Sequence, residues 1–343
     1  MKRRQRALRL AALTATLMAV VAAAAWRLTR AESNQTAAVP APAATPPGAS
    51  TTSREGLSDT VEVTSAALAK DPANSAAAVR LADALLRQAR VLNHAGLPLL
   101  AESVLNRVLH ANPADYMARR MRATVYLAQH RFRDALTESK RCQALRADDP
   151  VIDGIIGDAS LELGDYPAAF AAFDRMMLSR PDATTYARVS YAHELQGDLA
   201  GAIDLMMMAE SATSAHDPEA QAWHAAQLGH LHLTAGDIAE ARRDYMRADH
   251  LFPGHPLSVS GLARVDMAAG RPADALARLT RSLERTPSAG DFALAGDAYA
   301  ALGRMDEAER SYKLAEAMWT SDTPDPAELA RFLATRKRAA VNR

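Results

Sequence analysis

Seven copies of one short pattern recur along this chain at a nearly constant interval. In each copy a turn residue, glycine in all but one, is followed five positions later by alanine. The intervals between successive alanines are 34, 34, 33, 39, 34 and 33 residues. Such a period predicts one small unit that cannot bury its apolar face alone and therefore stacks on its neighbours. The alanines are Ala101, Ala135, Ala169, Ala202, Ala241, Ala275 and Ala308.

Each copy has the pattern of two helices joined by a tight turn. Apolar residues precede the turn at helical spacing, as Leu228 and Leu231 do before Gly236. Glycine tolerates the positive φ that reverses the chain, and the alanine allows the two helices to cross closely. A proline near the end of a copy is expected to stop the second helix. The prolines are Pro113, Pro150, Pro181, Pro218, Pro253 and Pro287.

These residues resemble tetratricopeptide repeats, a family whose 34-residue unit is a helix-turn-helix. The seventh copy carries the family pattern at Gly296, Tyr299, Gly303, Ala308, Tyr312 and Ala315. The resemblance covers about residues 75–320 and implies an all-α fold, a right-handed α-solenoid of about seven repeats. The first two copies are degenerate, and His130 replaces the turn glycine in the second, where the first has Gly96.

The predicted solenoid spans residues 57–320, and the sequence indicates three further features within it or next to it. A leading helix is expected over 57–70, with Ser58 or Asp59 as its N-cap. The 39-residue interval places extra residues around Glu210–Gln221, which predicts a longer loop or helix end there. Residues 321–343 are expected to hold a C-terminal capping helix over 325–338 and a basic tail, since Pro326 lies near the helix start.

The N-terminal 30 residues look like a membrane-targeting segment. They contain seven Lys and Arg and no acidic residue, and 17 uncharged residues run from Leu10 to Trp26. Two interpretations stay open: a signal anchor, favoured by Trp26 at the interface, or a signal peptide cleaved near Ala22–Ala24. The first gives a single-pass inner-membrane protein with its repeats in the periplasm. The second gives a secreted or periplasmic protein.

The composition of the rest of the chain limits its partners. Residues 31–56 are rich in Ala, Pro, Ser and Thr and predict a disordered linker, because they lack apolar residues to bury. Beyond residue 30 the chain has 33 basic and 40 acidic residues. This acidic balance argues against general nucleic-acid binding, which requires a basic surface.

The sequence contains no familiar catalytic or cofactor motif. It has no glycine-rich phosphate loop, no Gly-x-Ser-x-Gly and no His-Glu-x-x-His. His230 and His232 are two positions apart and diverge on a helix, so a metal site with His224 is not expected. Cys142 is predicted to be a buried thiol and Met206 a core residue. We therefore expect no cofactor, no metal and no enzyme activity.

Candidate binding residues follow from the resemblance, which implies that the first helix of each repeat lines a concave groove. Aromatic and arginine side chains contribute most to protein interfaces, so Trp223 and Tyr191 are the strongest candidates. An alternative for Trp223 is structural packing against residues 210–221. The projected groove residues are Trp223, Tyr191, Arg120, Asp158, His230, Arg264 and Asp297, together with Arg90.

The predicted function is a non-catalytic protein-protein interaction scaffold or assembly factor of the bacterial cell envelope. Its partner would bind in the concave groove, and the membrane contact would come from the N-terminal segment. A component of a polysaccharide export or cell-wall synthesis system, contacting a glycan or its synthase, is the alternative. A glycan groove would need several stacked aromatic residues, whereas only Tyr191 and Trp223 project there.

Overall fold

A computed structural model of the chain describes residues 52–321 and 332–333. Helices separated by short turns make up the described part, and none of them is both long and apolar enough to cross a lipid bilayer. The predicted targeting segment and most of the linker lie outside the described residues. The helices are α1 Arg54–Lys70, α2 Ser75–Leu92, α3 Gly96–Ala111, α4 Tyr116–Ala128, α5 Phe132–Leu145, α6 Pro150–Glu162, α7 Tyr166–Ser179, α8 Ala183–Leu195, α9 Leu199–Ser211, α10 Pro218–Thr234, α11 Ile238–Leu251, α12 Pro256–Ala268, α13 Pro272–Leu283, α14 Ala289–Ala301 and α15 Met305–Ser321.

Helices α2 to α15 form seven antiparallel pairs, one for each predicted repeat. We call the even-numbered first helices of the pairs A helices and the odd-numbered second helices B helices. Each A helix packs against its own B helix and, except between α8 and α10, closely against the A helix of the next repeat, whereas B helices pack mainly against A helices. The A helices therefore form the more closely spaced inner layer, which is the concave side of a solenoid. The predicted all-α solenoid is confirmed.

The predicted alanines mark the closest crossings of A and B helices. All seven are buried, and the first six have no exposed surface. In the second repeat His130 occupies the turn position that glycine has in the other copies. It adopts a left-handed φ of 56°, as expected of a residue that replaces the turn glycine. In the first repeat the left-handed residue of the turn is Asn93, with φ 48°, three positions before Gly96, which begins α3. Asparagine tolerates this conformation better than most residues.

Glycines in the A helices allow aromatic rings of the B helices to approach the backbone. Tyr245 lies against Gly229 of its own repeat and Gly261 of the next. A Cβ atom at Gly157 would lie 2.3 Å from the Phe173 ring, so any larger residue would displace that ring. This packing explains why a small residue in helix A is paired with an aromatic residue in helix B.

Helix starts in this chain depend on aspartate and proline. Asp115, for example, accepts a hydrogen bond from the Ala118 amide and so satisfies a free N–H of α4. Two of the prolines predicted to stop helices instead begin them, since Pro150 and Pro218 are the first residues of α6 and α10. Proline suits this position because the first amide needs no acceptor.

The two ends of the described part differ from the predicted boundaries. The leading helix α1 begins at Arg54, three residues before its predicted start, and Ser53 caps it instead of Ser58 or Asp59. Most of the predicted C-terminal capping helix lies outside the described residues. Within it, Phe332 is helical and its ring lies 4.9 Å from the Trp319 ring.

The extra residues between repeats 4 and 5 lengthen both a loop and a helix, as predicted. A six-residue loop follows α9, and α10 has 17 residues where most A helices have 13. The added turn at the start of α10 carries Glu219, whose carboxylate has no exposed surface, and follows Asp217, the N-cap. Both carboxylates point towards the first repeat.

The solenoid winds back so that its first helices rest on repeats 5 and 6 and on the turn before repeat 7. Arg90 donates from Nε and Nη2 to the Glu219 carboxylate at 3.0 and 2.8 Å, and Arg87 Nη1 donates to Asp217 Oδ2 at 3.0 Å. Further along, the Asn93 amide donates to the Pro287 carbonyl at 2.8 Å. We call this contact the seam.

An apolar cluster lies beside these ion pairs at the seam. Leu57 of α1 and Val91 of α2 are buried against Ala222 of α10 and Phe252, which follows α11. Arg54 adds a cation–π contact, with its guanidinium carbon 5.1 Å from the centre of the Phe252 ring. The seam therefore combines burial of apolar surface with paired charges, between segments more than 120 residues apart in sequence.

Replacing Glu219 with glutamine should destabilise the protein through the seam. The substitution removes the negative charge that faces two arginines, and we expect the free energy of unfolding to fall by about 2 kcal/mol. A fully buried pair would lose more, but the Arg90 side chain is 47% exposed. Urea denaturation measures the difference. The matched control is Glu240→Gln, at a carboxylate whose partner Arg243 lies one turn away in α11, and little change is expected there. Equal stability of the two variants would contradict a stabilising seam.

Candidate functional site

A row of polar contacts links successive A helices along the concave side. Arg188 Nε of α8 donates to Asp158 Oδ2 of α6 at 2.8 Å. The hydroxyl of Tyr191 donates to Glu162 at 3.2 Å. His230 Nε2 of α10 lies 2.9 Å from Glu194 Oε1 of α8. We call these residues, with the Arg120–Asp149 pair between α4 and α6, the inter-repeat strip.

The strip brings together four of the seven predicted groove residues, namely Arg120, Asp158, Tyr191 and His230. Each contacts the neighbouring repeat, so its position depends on how the repeats stack. Tyr191 remains 40% exposed, and its ring is the most accessible apolar surface of the strip. The strip thus offers a partner an aromatic ring flanked by charged groups of both signs.

The charges of the strip are unequal. The strip contains two guanidinium groups, those of Arg120 and Arg188, and four carboxylates, those of Asp149, Asp158, Glu162 and Glu194. The strip is therefore net negative and rich in hydrogen-bond acceptors. A partner segment with basic or hydrogen-bond-donating side chains complements such a surface.

The surroundings of two strip carboxylates shift their pKa values in opposite directions. Burial raises the pKa of Asp158 above its ordinary value, although Arg188 opposes this effect. At Asp149, burial alone would also raise the pKa, but hydrogen bonds from Tyr116, the Val151 amide and Arg120 lower it. Asp149 therefore favours its charged form and holds the α4 and α6 helices together.

Three predicted groove residues lie apart from the strip. Trp223 is half-buried in the second turn of α10 and packs on the apolar cluster of repeats 3 to 5, with its ring 5.1 Å from that of His224. Arg264 is exposed on α12. Asp297 of α14 accepts a hydrogen bond from Tyr312 of its own repeat at 2.8 Å, and burial raises its pKa. Arg90, the additional projected residue, belongs to the seam.

The three neighbouring histidines each have a different partner. His224 Nδ1 lies 3.0 Å from Thr213 Oγ1, and burial lowers the pKa of His224 to about 4. His232 Nδ1 lies 2.6 Å from Asp244 Oδ2 of its own repeat, and His230 belongs to the strip. No group of three or more side chains able to hold a metal ion occurs among residues 52–321.

Two sulfur-containing residues lie where the sequence predicted. Cys142 is completely buried, and this burial raises the pKa of its thiol to about 11. The thiol is therefore protonated and unreactive at neutral pH. Met206 is buried in the core, whereas its neighbour Met207 is 54% exposed.

The partners of the strip residues do not stand out in the sequence. Arg188, Glu162 and Glu194 are each an ordinary charged residue in a helix. A signal was present in the spacing. Asp158 and Arg188 are 30 residues apart, and Glu162 and Tyr191 are 29 apart. Both separations are three or four residues short of the 33-residue interval between these repeats, so each pair joins positions about one helical turn apart in successive repeats.

Comparison with protein-family models identifies the same repeats. Three tetratricopeptide repeat models match residues 121–184, 232–293 and 292–318. Together with the stacked helix pairs and the buried alanines, these matches establish the class. The chain belongs to the tetratricopeptide repeat family. A comparison with curated protein sequences found no match.

Solved structures with the same architecture have little sequence identity to this chain. The Cut9–Hcn1 hetero-tetramer of the APC/C superposes with a TM-score of 0.62 at 17% identity, and the match covers 84% of this chain and 54% of that one. PilW, a type IV pilus biogenesis factor, gives 0.50 at 17% identity over 64% and 99%. A tetratricopeptide repeat protein from Parabacteroides merdae gives 0.50 at 17% identity over 74% and 98%. These likenesses establish the fold.

Proposed function

We propose that this protein is a non-catalytic scaffold or assembly factor that binds a partner protein along the inter-repeat strip. The observation that carries the proposal is the position of Tyr191. Its partly exposed ring lies on an A helix with its hydroxyl bonded to Glu162 of the preceding repeat, and Glu194, three residues further along the same helix, contacts His230 of the next repeat. Tetratricopeptide repeats are an interaction fold, and a continuous inner surface of this kind suits an extended peptide segment.

The chemistry of the strip specifies the kind of partner. A rigid aromatic side chain buries a large area on binding at a low cost in conformational entropy. Carboxylates around it orient a segment that carries lysine, arginine or free amide groups. We therefore propose a partner segment with basic side chains, bound across α6, α8 and α10.

The strongly shifted titratable groups support a scaffold over an enzyme. The pKa values of His224 and His255 are lowered to about 4 by burial, and that of Cys142 is raised to about 11 for the same reason. These are packing effects at core positions. A catalytic centre would place such groups together in an accessible cleft.

We also propose that the repeats act in the bacterial cell envelope. The proposal rests on residues 1–30, whose basic head and uncharged segment have the pattern of a signal anchor or signal peptide. PilW, which has a similar fold, is described as a type IV pilus biogenesis factor, and an assembly role of that general kind agrees with the proposal.

Replacing Tyr191 with alanine should weaken partner binding by about 2 kcal/mol, as for a binding hot spot, with little change in stability. Cross-linked complexes are purified with the wild-type and with the variant protein, and quantitative proteomics compares the amount of each partner recovered. The affinity of the partner identified in this way is then measured for both proteins. The matched control is Tyr166→Ala, at a tyrosine that is 50% exposed on a B helix outside the strip.

The same assay decides between two roles for Trp223. If Trp223 contacts the partner, Trp223→Ala lowers affinity and leaves the melting temperature nearly unchanged. If it only packs on repeat 4, the melting temperature falls and the affinity of the folded protein stays the same. Equal partner recovery with Tyr191→Ala and Tyr166→Ala, or recovery of glycan without any reproducible protein, would contradict the proposed binding face.

Export of the repeats predicts the behaviour of a reporter joined after Arg343. A reporter that works only outside the cytoplasm should be active in this fusion, because a basic N-terminal head stays in the cytoplasm. Mass spectrometry of the mature N-terminus then distinguishes a retained anchor from a cleaved signal peptide. Activity of a reporter that works only in the cytoplasm would contradict the proposed location.

A further inference from the structure

A small cavity of about 260 Å³ opens at the seam, and arginines dominate its lining. Arg54 enters from α1, whereas Arg278 and Arg281 belong to α13 and Arg285 follows it. Val91 and Leu262 supply apolar walls. The cavity is smaller than a typical site for a whole organic ligand, and its size suits one compact polar group.

The positive charge in this cavity is only partly balanced. Arg278 Nε donates to Asp266 at 2.7 Å and is therefore paired. Asp249, the carboxylate in the lining, accepts from the Gly254 amide at 3.0 Å and the Ser258 hydroxyl at 3.4 Å. Within the part of the chain that the structure describes, Arg54, Arg281 and Arg285 have no carboxylate in salt-bridge contact.

Local contacts position two of these unpaired guanidinium groups. Arg54 lies over the Phe252 ring and its Nη2 is 3.5 Å from the Pro253 carbonyl oxygen. Arg281 Nε donates to the Ala277 carbonyl at 3.3 Å. Burial lowers the pKa of Arg54 and the positive charge of Arg285 lowers it further, although the adjacent Glu55 partly opposes both effects. The two like charges therefore repel each other across the cavity.

We propose that this cavity is a binding site for a phosphate group. Arginine presents planar, fixed donors that match the oxygens of phosphate, and several guanidinium groups around one small space can bind a dianion together. An anion placed there would also relieve the repulsion between Arg54 and Arg285. Two sources carry the same chemistry, namely inorganic phosphate and a phosphorylated side chain of a partner.

The site exists only when the solenoid is wound back on itself. Arg54 and Val91 come from the first helices, whereas Arg281 and Arg285 come from repeat 6 and the turn that follows it. A phosphate bound between them would bridge the two sides of the seam. Binding therefore stabilises the closed arrangement, since a ligand that favours one state increases its population.

Isothermal titration calorimetry of the full chain, in a neutral detergent at fixed ionic strength, tests the proposal. Inorganic phosphate and O-phosphoserine are titrated separately, with chloride as the blank. Arg285→Gln and, from the other side of the seam, Arg54→Gln should each weaken binding about tenfold or more, because each removes a charged hydrogen-bond donor. Arg281→Gln is a third variant, which leaves the contact between Arg54 and the Phe252 ring unchanged.

The matched control is Arg133→Gln, at an exposed arginine on α5 outside the cavity lining, and it should bind like the wild type. Phosphate should also raise the melting temperature of the wild type more than that of Arg285→Gln. Binding of both probes supports the site. Selective binding of one supports it and identifies the source. Absence of saturable binding of either probe, or equal weakening by Arg133→Gln, would overturn the proposal.

Discussion

The buried carboxylate of Glu219 is the interaction on which the shape of this protein depends. Removing a carboxylate from water is costly unless nearby positive charges and hydrogen-bond donors compensate. Arg87 and Arg90 provide them from α2, more than 120 residues earlier in the chain. Arg87 also pairs with Asp83 of its own helix, whereas the only ion-pair partners of Glu219 among the described residues are Arg87 and Arg90. The buried carboxylate therefore favours a solenoid that closes on itself over an extended one.

Both proposed functional surfaces depend on that closure. Winding the array back fixes the curvature of the A-helix layer, and with it the spacing of the strip residues that join one repeat to the next. The arginine cavity is formed directly by the seam, because its lining comes from α1, α2 and the region of α11 to α13. A partner on the concave side and an anion at the seam would therefore act on the same structural equilibrium.

Much of this fold follows from the sequence because its determinants are local. The alanine at each crossing and the turn at His130 could be predicted from a pattern that spans ten residues. The turn at Asn93 could not be predicted, since Gly96 matched the same pattern and asparagine is a less distinctive signal of a left-handed turn than glycine.

The seam could not be predicted either. Arg90 and Glu219 look like ordinary helical residues in the sequence, and only the curvature of the stacked repeats brings them together. The 39-residue interval predicted the longer loop and helix but gave no reason for them. Four of the seven predicted groove residues lie in the strip. The other three, Trp223, Arg264 and Asp297, do not, because the position of each is set by the packing around its own helix.

The distance across the seam in solution tests the account most directly. Spin labels at His94→Cys and Glu284→Cys, in a Cys142→Ala background, would flank the hydrogen bond from Asn93 to Pro287, and both positions are exposed. Double electron–electron resonance measures their separation. A closed solenoid should give one short, narrow distance distribution that broadens when Glu219→Gln is added. A long, broad distribution in the protein with an intact Glu219 would contradict the closed solenoid.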